Sequence, residues 1–184
     1  MSTPEDTEPR TVPPTVLVHQ EGVIAVIGLV GLAYRGEIVT GLAPHGAPLT
    51  AVFLGIAAGV AGFSVMWVLR GFRPMRELER WQRRMVKGWS ATDAVVIALF
   101  SGLAEEAMIR ALLQPIIGLV PAALVFAALH VVPDRRVWLW PVLALVLGLG
   151  LGWIFERGGY PAAATAHVAI NLLSLLRLRE AAAN

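Results

Sequence analysis

The 184 residues contain no cysteine. That excludes disulfide bonds and thiolate chemistry, and it leaves the redox compartment open. Charge is scarce too: Asp, Glu, Lys and Arg make up 15% of the chain, where a soluble domain carries about 25%. There is no His-Glu-x-x-His motif of the zinc-dependent proteases, no internal repeat and no second, polar domain. What fills the chain is apolar, with 57% hydrophobic residues and a mean hydropathy of +0.68. A soluble core of this length cannot hide that much apolar surface, so the expected solvent is the bilayer.

Residues 1–15, MSTPEDTEPRTVPPT, are polar and proline-rich and read as a disordered tail. They lack the basic start and immediate apolar run of a signal peptide. Six apolar stretches follow, at 16–34, 49–69, 94–115, 119–132, 137–155 and 162–176. The first is interrupted by His19, Gln20 and Glu21, and the fourth is too short to cross about 30 Å as a straight helix. The expected fold is all-α: a polytopic integral membrane protein of about six transmembrane helices, one of them short or broken. Its expected layout is N-terminal membrane helices at 16–70, a basic interfacial segment at 71–91 and a second membrane core at 92–180.

Basic residues set the orientation. Arg70, Arg73, Arg76, Arg80, Arg83, Arg84 and Lys87 lie between the second and third stretches; Arg135 and Arg136 between the fourth and fifth; Arg177 and Arg179 after the last; Arg10 before the first. Six crossings put all of these on one side and only Arg35 and Arg157 on the other. The positive-inside rule then places both termini in the cytoplasm, in what is expected to be a bacterial cytoplasmic membrane. Within the basic segment, Met75, Leu78, Trp81, Met85 and Trp89 recur at helical spacing. They predict an amphipathic helix that lies on anionic headgroups or serves as a basic loop fixing orientation. A nucleic-acid partner is not expected so close to lipid. Ser90-Ala91-Thr92-Asp93 matches a capping box that starts the third span.

Ionisable groups inside spans are rare and mark function. Here they are Glu105, Glu106, Arg110, His130 and His167, joined by Asn171. Glu106 and Arg110 are i and i+4, so they share a helix face and pair. Glu105 is rotated about 100° from Glu106 and is left to face a cavity. Phe126 and His130, and His167 and Asn171, repeat the same spacing. A carboxylate, two imidazoles and an amide converging on one pocket suit hydrolysis. Carboxylate and imidazole take a proton from water, and imidazole and amide hold a developing oxyanion. Taken singly, each of these residues is more often structural, as an interhelical hydrogen-bonder or a bracing ion pair.

Three motifs in order, Glu-Glu-x-x-x-Arg in EEAMIR, Phe-x-x-x-His in FAALH and His-x-x-x-Asn in HVAIN, resemble the CPBP family of intramembrane proteases. That family contains the eukaryotic CAAX prenyl endopeptidase and bacterial relatives tied to bacteriocin processing and self-immunity. The motifs span 105–171; Ile109 and Ala111 stand where relatives often carry an aromatic residue and a glycine. The resemblance implies an endopeptidase acting on a peptide or a lipidated protein in or beside the bilayer. Glu105 and His130 would activate water, His167 and Asn171 would stabilise the oxyanion, and Glu106 and Arg110 would support the helix. Family members have been described both as metal-free glutamate proteases and as metalloproteases. One Asn is a poor zinc ligand, so no cofactor is the favoured expectation. A zinc site, were there one, would draw on Glu105, His130 and His167. The rival readings are a non-catalytic immunity or scaffold protein and a proton-coupled transporter using the buried carboxylate.

Overall fold

The computed structural model of the chain describes residues 11–183. The expected tail lies mostly outside these residues, but its last part is structured. Val12 donates its N–H to Met85 O at 3.1 Å and accepts from the Trp89 indole at 2.9 Å. Helix α1 begins at Pro14, inside the stretch expected to be disordered. Proline suits a first helical turn, where the missing N–H is not needed.

The described residues are helical, with no strand beyond one isolated bridge. Helix α1 (Pro14–Tyr34) leads through a single turn, α2 (Ile38–Gly41), to α3 (Pro48–Leu69). Helix α4 (Arg73–Met85) follows, then α5 (Ala91–Glu106). A π-helical segment (Ala107–Leu113) carries α5 on into α6 (Gln114–Ile117). Helix α7 (Leu119–Leu129), a 3₁₀ turn (Arg135–Val137) and α8 (Leu139–Ala183) complete the chain. Among the described residues three helices are long and apolar enough to cross a membrane: α1, α3 and α8 with its preceding turn. With 21 and 22 residues, α1 and α3 each extend a little over about 30 Å at 1.5 Å per residue.

Glu21 does not interrupt the first helix, which runs unbroken past it. The short stretch at 119–132 forms α7, with 11 residues and about 16 Å of rise. The stretches at 137–155 and 162–176 are one element, α8, broken at Gly159. There φ is 74° and ψ −171°, a backbone region open to glycine alone. Any Cβ at Gly159 would also strike the Ala43 carbonyl and the His45 backbone. Pro161 then sits in the first turn of the second arm, where a missing N–H is tolerated. The π segment ends just before Pro115. A proline ring clashes with a regular α-turn and removes one of its bonds, and a wider turn accommodates both effects.

Helix α5 starts as its sequence predicts. The Ser90 hydroxyl accepts from Asp93 N at 3.1 Å, and Asp93 Oδ2 accepts from Ser90 N at 2.7 Å. Helix α4 is amphipathic, but its apolar face lies on protein. Met75 and Leu78 are buried with Val137, bordered by Met66, Trp81, Val132 and Trp140. Arg73, Arg76, Arg80, Arg84 and Lys87 remain exposed on and just after the helix. Glu79 of α4 accepts from Arg177 of α8 at 2.6 Å. The three basic segments therefore gather at one end of the molecule. At the other end His45 N donates to Gly158 O at 3.2 Å, which ties the loop before α3 to the break in α8.

Close approach between α5 and the second arm of α8 sets up the polar cluster. Gly102 faces Val168 so tightly that an added Cβ would lie 2.8 Å from the Val168 backbone nitrogen. Small residues let helix backbones meet inside a membrane. This contact brings the 101–106 stretch against the 167–171 stretch.

Candidate active site

Glu106 and Arg110, at the end of α5 and in the π segment, are both fully buried. Arg110 Nε donates to Glu106 Oε2 at 3.0 Å, the pair that the i, i+4 spacing predicts. The guanidinium carbon also lies 5.2 Å from the centre of the Phe126 ring, within cation–π range. Glu106 does more than brace this helix. Its second oxygen, Oε1, accepts from His167 Nδ1 at 2.9 Å. A carboxylate only accepts, so the hydrogen is on Nδ1 and Nε2 is the ring atom left to the site. Glu106 thus orients an imidazole on a neighbouring helix, as the carboxylate of a catalytic triad does.

His130, one residue past α7, is fixed by its own chain. Its Nδ1 donates to Phe126 O at 2.9 Å, which leaves a lone pair on Nε2. Phe126 stands between the two histidines, with ring centres 4.7 Å from His130 and 5.6 Å from His167. The Phe-x-x-x-His motif therefore supplies both a carbonyl anchor and an apolar spacer. The loop after His130 is pinned by Asp134, which accepts from Arg136 N and from its guanidinium. The hydrogen bonds from Arg136 hold the Asp134 carboxyl below the usual carboxylate range.

Asn171 donates from Nδ2 to Ser101 Oγ at 2.8 Å, and Ser101 donates to Ile97 O at 2.8 Å. Because the hydroxyl gives its hydrogen to a carbonyl, it accepts from the amide, and the Asn171 orientation follows. Ser101 is a site residue that the sequence reading missed. Its signal was its place four residues before Glu105, on the same face of α5.

His130, His167, Asn171 and Ser101 line one cavity of about 390 Å³, within the range of ligand-binding pockets. Its walls are apolar, from Phe63, Met66, Trp81, Met85 and Leu143 among others, and Glu79 and Arg177 mark its α4 side. Glu21 of α1 lines it as well. Glu105, expected to face a cavity, is not among the residues that line this one; it is 7% exposed and meets the Glu21 carboxyl. Among the described residues no hydrogen bond joins Glu105 to His130, the two groups expected to share a water. Nor, among these residues, do three or more His, Asp or Glu side chains cluster closely enough to hold a metal ion. Glu21 was read in the sequence only as an interruption of an apolar stretch. An acid inside a membrane helix was the signal that it belonged to the polar set.

Residues 87–173 match the family model described as type II CAAX prenyl endopeptidase Rce1-like. The matched stretch holds Glu105, Glu106, Arg110, His130, His167 and Asn171 and leaves out α1, α3 and α4. It agrees with the resemblance to the CPBP proteases and supports an intramembrane endopeptidase. No curated protein and no solved structure matches the chain.

Proposed function

We propose that this chain, with its Rce1-like match over residues 87–173, hydrolyses a peptide bond of a membrane peptide or lipidated protein in the α1–α8 cavity. The observation that carries the reading is the hydrogen bond from His167 to Glu106. It turns a histidine into an oriented group on a cavity that also holds a second, independently oriented histidine and an anchored amide. Glu105 and the free Nε2 of His130 take the proton of the attacking water. Nε2 of His167 and the second N–H of Asn171 hold the oxyanion. For Nε2 to donate, the His167 ring carries two protons, and Glu106 balances its charge.

The chemistry proposed is metal-free. Among the described residues no three His, Asp or Glu side chains stand close enough to hold a metal ion, and Asn171 would be a poor zinc ligand. The termini and the basic end of the molecule face the cytoplasm in this reading.

The test compares membrane peptides in cells carrying the wild-type chain with those in cells carrying Glu105→Gln. Accumulation of an uncut precursor in the variant, with equal protein levels, is the expected result. It should be matched by a loss of at least about 10²-fold in cleavage by purified protein, the low end for a positioned acid–base group. Wild-type turnover in Glu105→Gln ends the assigned role.

A further inference from the structure

A second buried carboxyl faces Glu105 from a helix outside the matched stretch. Glu21 on α1 is 6% exposed, lines the cavity and meets the Glu105 side chain. Oε2 of Glu21 and Oε2 of Glu105 are each buried with no hydrogen-bond donor in reach. Two ionised carboxylates can only accept. Held together out of water, they repel strongly. The charged groups around them do not supply the missing donors. Arg110 in the π segment gives its Nε hydrogen to Glu106 of α5 and reaches no acceptor with its two terminal nitrogens, and His167 of α8 gives its Nδ1 hydrogen to the same Glu106 carboxylate. On α1 itself, His19 bonds to Thr15 O at 2.6 Å.

We propose that Glu21 and Glu105 hold one proton between them and work as a single acid–base unit. The idea rests on the endopeptidase reading and adds to it the group that supplies the leaving amine with its proton. At rest the pair carries one proton. Water adds its oxygen to the scissile carbonyl carbon and gives one hydrogen to Glu105. The pair then holds two protons, and the substrate is a tetrahedral oxyanion. As the C=O bond reforms and the C–N bond breaks, the nitrogen takes one proton from the pair. The products are a carboxylic acid and an amine, and the pair is back to one proton. Glu21 acts through Glu105, as a positioning residue. The pairing also gives α1 a reason to pack against α5, where a purely apolar helix would serve a lipid boundary as well.

Infrared difference spectra of the full chain in lipid nanodiscs read the shared proton directly, as the C=O band of a protonated carboxyl. Wild type should show the band at neutral pH. Glu21→Gln and Glu105→Gln should each lose it, because an amide N–H then satisfies the remaining carboxylate. Glu21→Asp should keep it, and that variant stands in if the Gln variant does not fold. No band in wild type, or a band retained in either Gln variant, overturns the proposal. With a cleaved peptide, Glu21→Gln should lower kcat by about 10²-fold, leave KM nearly unchanged and displace the acid limb of the pH profile. Glu21→Asp should recover part of the rate; an unchanged kcat in Glu21→Gln counts against the pair. If the band behaves as expected but wild type cleaves no membrane peptide, the shared proton stands and the endopeptidase reading falls.

Discussion

Glu106 and His167 are 61 residues apart in sequence and joined by a 2.9 Å hydrogen bond, on the carboxylate that also holds Arg110. One side chain thus carries both a structural duty and an orienting one, and the two can be separated. Arg110→Leu removes the permanent charge paired with a fully buried carboxylate and leaves it His167 alone as a partner. Breaking such a pair typically costs about 3–5 kcal/mol in soluble proteins. Arg110→Leu should therefore lose folded protein, and Glu106→Gln with Arg110→Leu should recover part of it in thermal unfolding of the purified protein. Recovery of fold should not bring recovery of cleavage, because a Gln side chain no longer balances a charged His167. Normal stability of Arg110→Leu would show the pair to be irrelevant. Full activity of the double variant would remove the orienting role.

The Ser101–Asn171 bond separates a protease from its rivals. Asn171→Ala should reduce kcat by about 10²-fold, as loss of one oxyanion donor does elsewhere. Ser101→Ala should cost less, about 10-fold, since it frees the amide without removing it. The double variant should match Asn171→Ala alone, because the serine acts only through the amide. A proton-coupled transporter needs the carboxylates and can spare Asn171. Wild-type function in Asn171→Ala alongside loss in Glu105→Gln would therefore favour transport.

What the sequence disclosed follows from how local each feature is. The Glu106–Arg110 pair spans one helical turn and was readable from spacing alone. So were the capping box at Ser90 and the shortness of α7. His167 and Asn171 were correctly placed on one face, yet their partners, Glu106 and Ser101, come from a helix some 60–70 residues away. Spacing says nothing about such pairings. The same limit hid Glu21, whose meaning depends on α1 meeting α5. The π segment was invisible because an apolar stretch such as Ala107–Leu113 reads alike for a turn of either width. Helix α4 showed its amphipathic face, but periodicity does not tell a lipid headgroup layer from the Val137 and Trp140 side chains that in fact cover it.

Two ties in the structure each place distant segments at the same end of the molecule. Glu79–Arg177 joins α4 to the end of α8, and His45–Gly158 joins the loop before α3 to the break in α8. Reporter fusions after Lys87, Arg136 and Arg179 should therefore agree with one another and report the cytoplasm, where the basic residues belong. Fusions at Gly46 and Gly158 should both report the opposite side. A cytoplasmic signal at Gly46 would mean that α1 does not cross, and the topology would fall to five crossings.

Metal dependence is decided by chelation and by the two histidines together. If Glu105 and His130 activate water alone, purified enzyme should keep its rate after strong chelation, with metal far below one per chain. His167→Ala should then slow kcat while substrate binding stays nearly intact, because contacts to an oxyanion strengthen in the transition state. A metal would instead take Glu105 with one or both histidines and leave a position open for water. Chelation would then abolish activity, added zinc or cobalt would restore it, and His130→Ala or His167→Ala would lose metal along with rate. The hydrogen-bond pattern leaves each histidine a single ring nitrogen for chemistry, since His167 is held by the carboxylate of Glu106 and His130 by a backbone carbonyl. Those same bonds would also suit a metal ligand, which normally gives its other ring N–H to an oxygen. Restoration of chelated enzyme by a stoichiometric metal is thus the result that would overturn the metal-free mechanism. Glu106→Gln adds a second readout: it should lower metal content only if His167 is a ligand, and leave it unchanged if His167 serves the oxyanion.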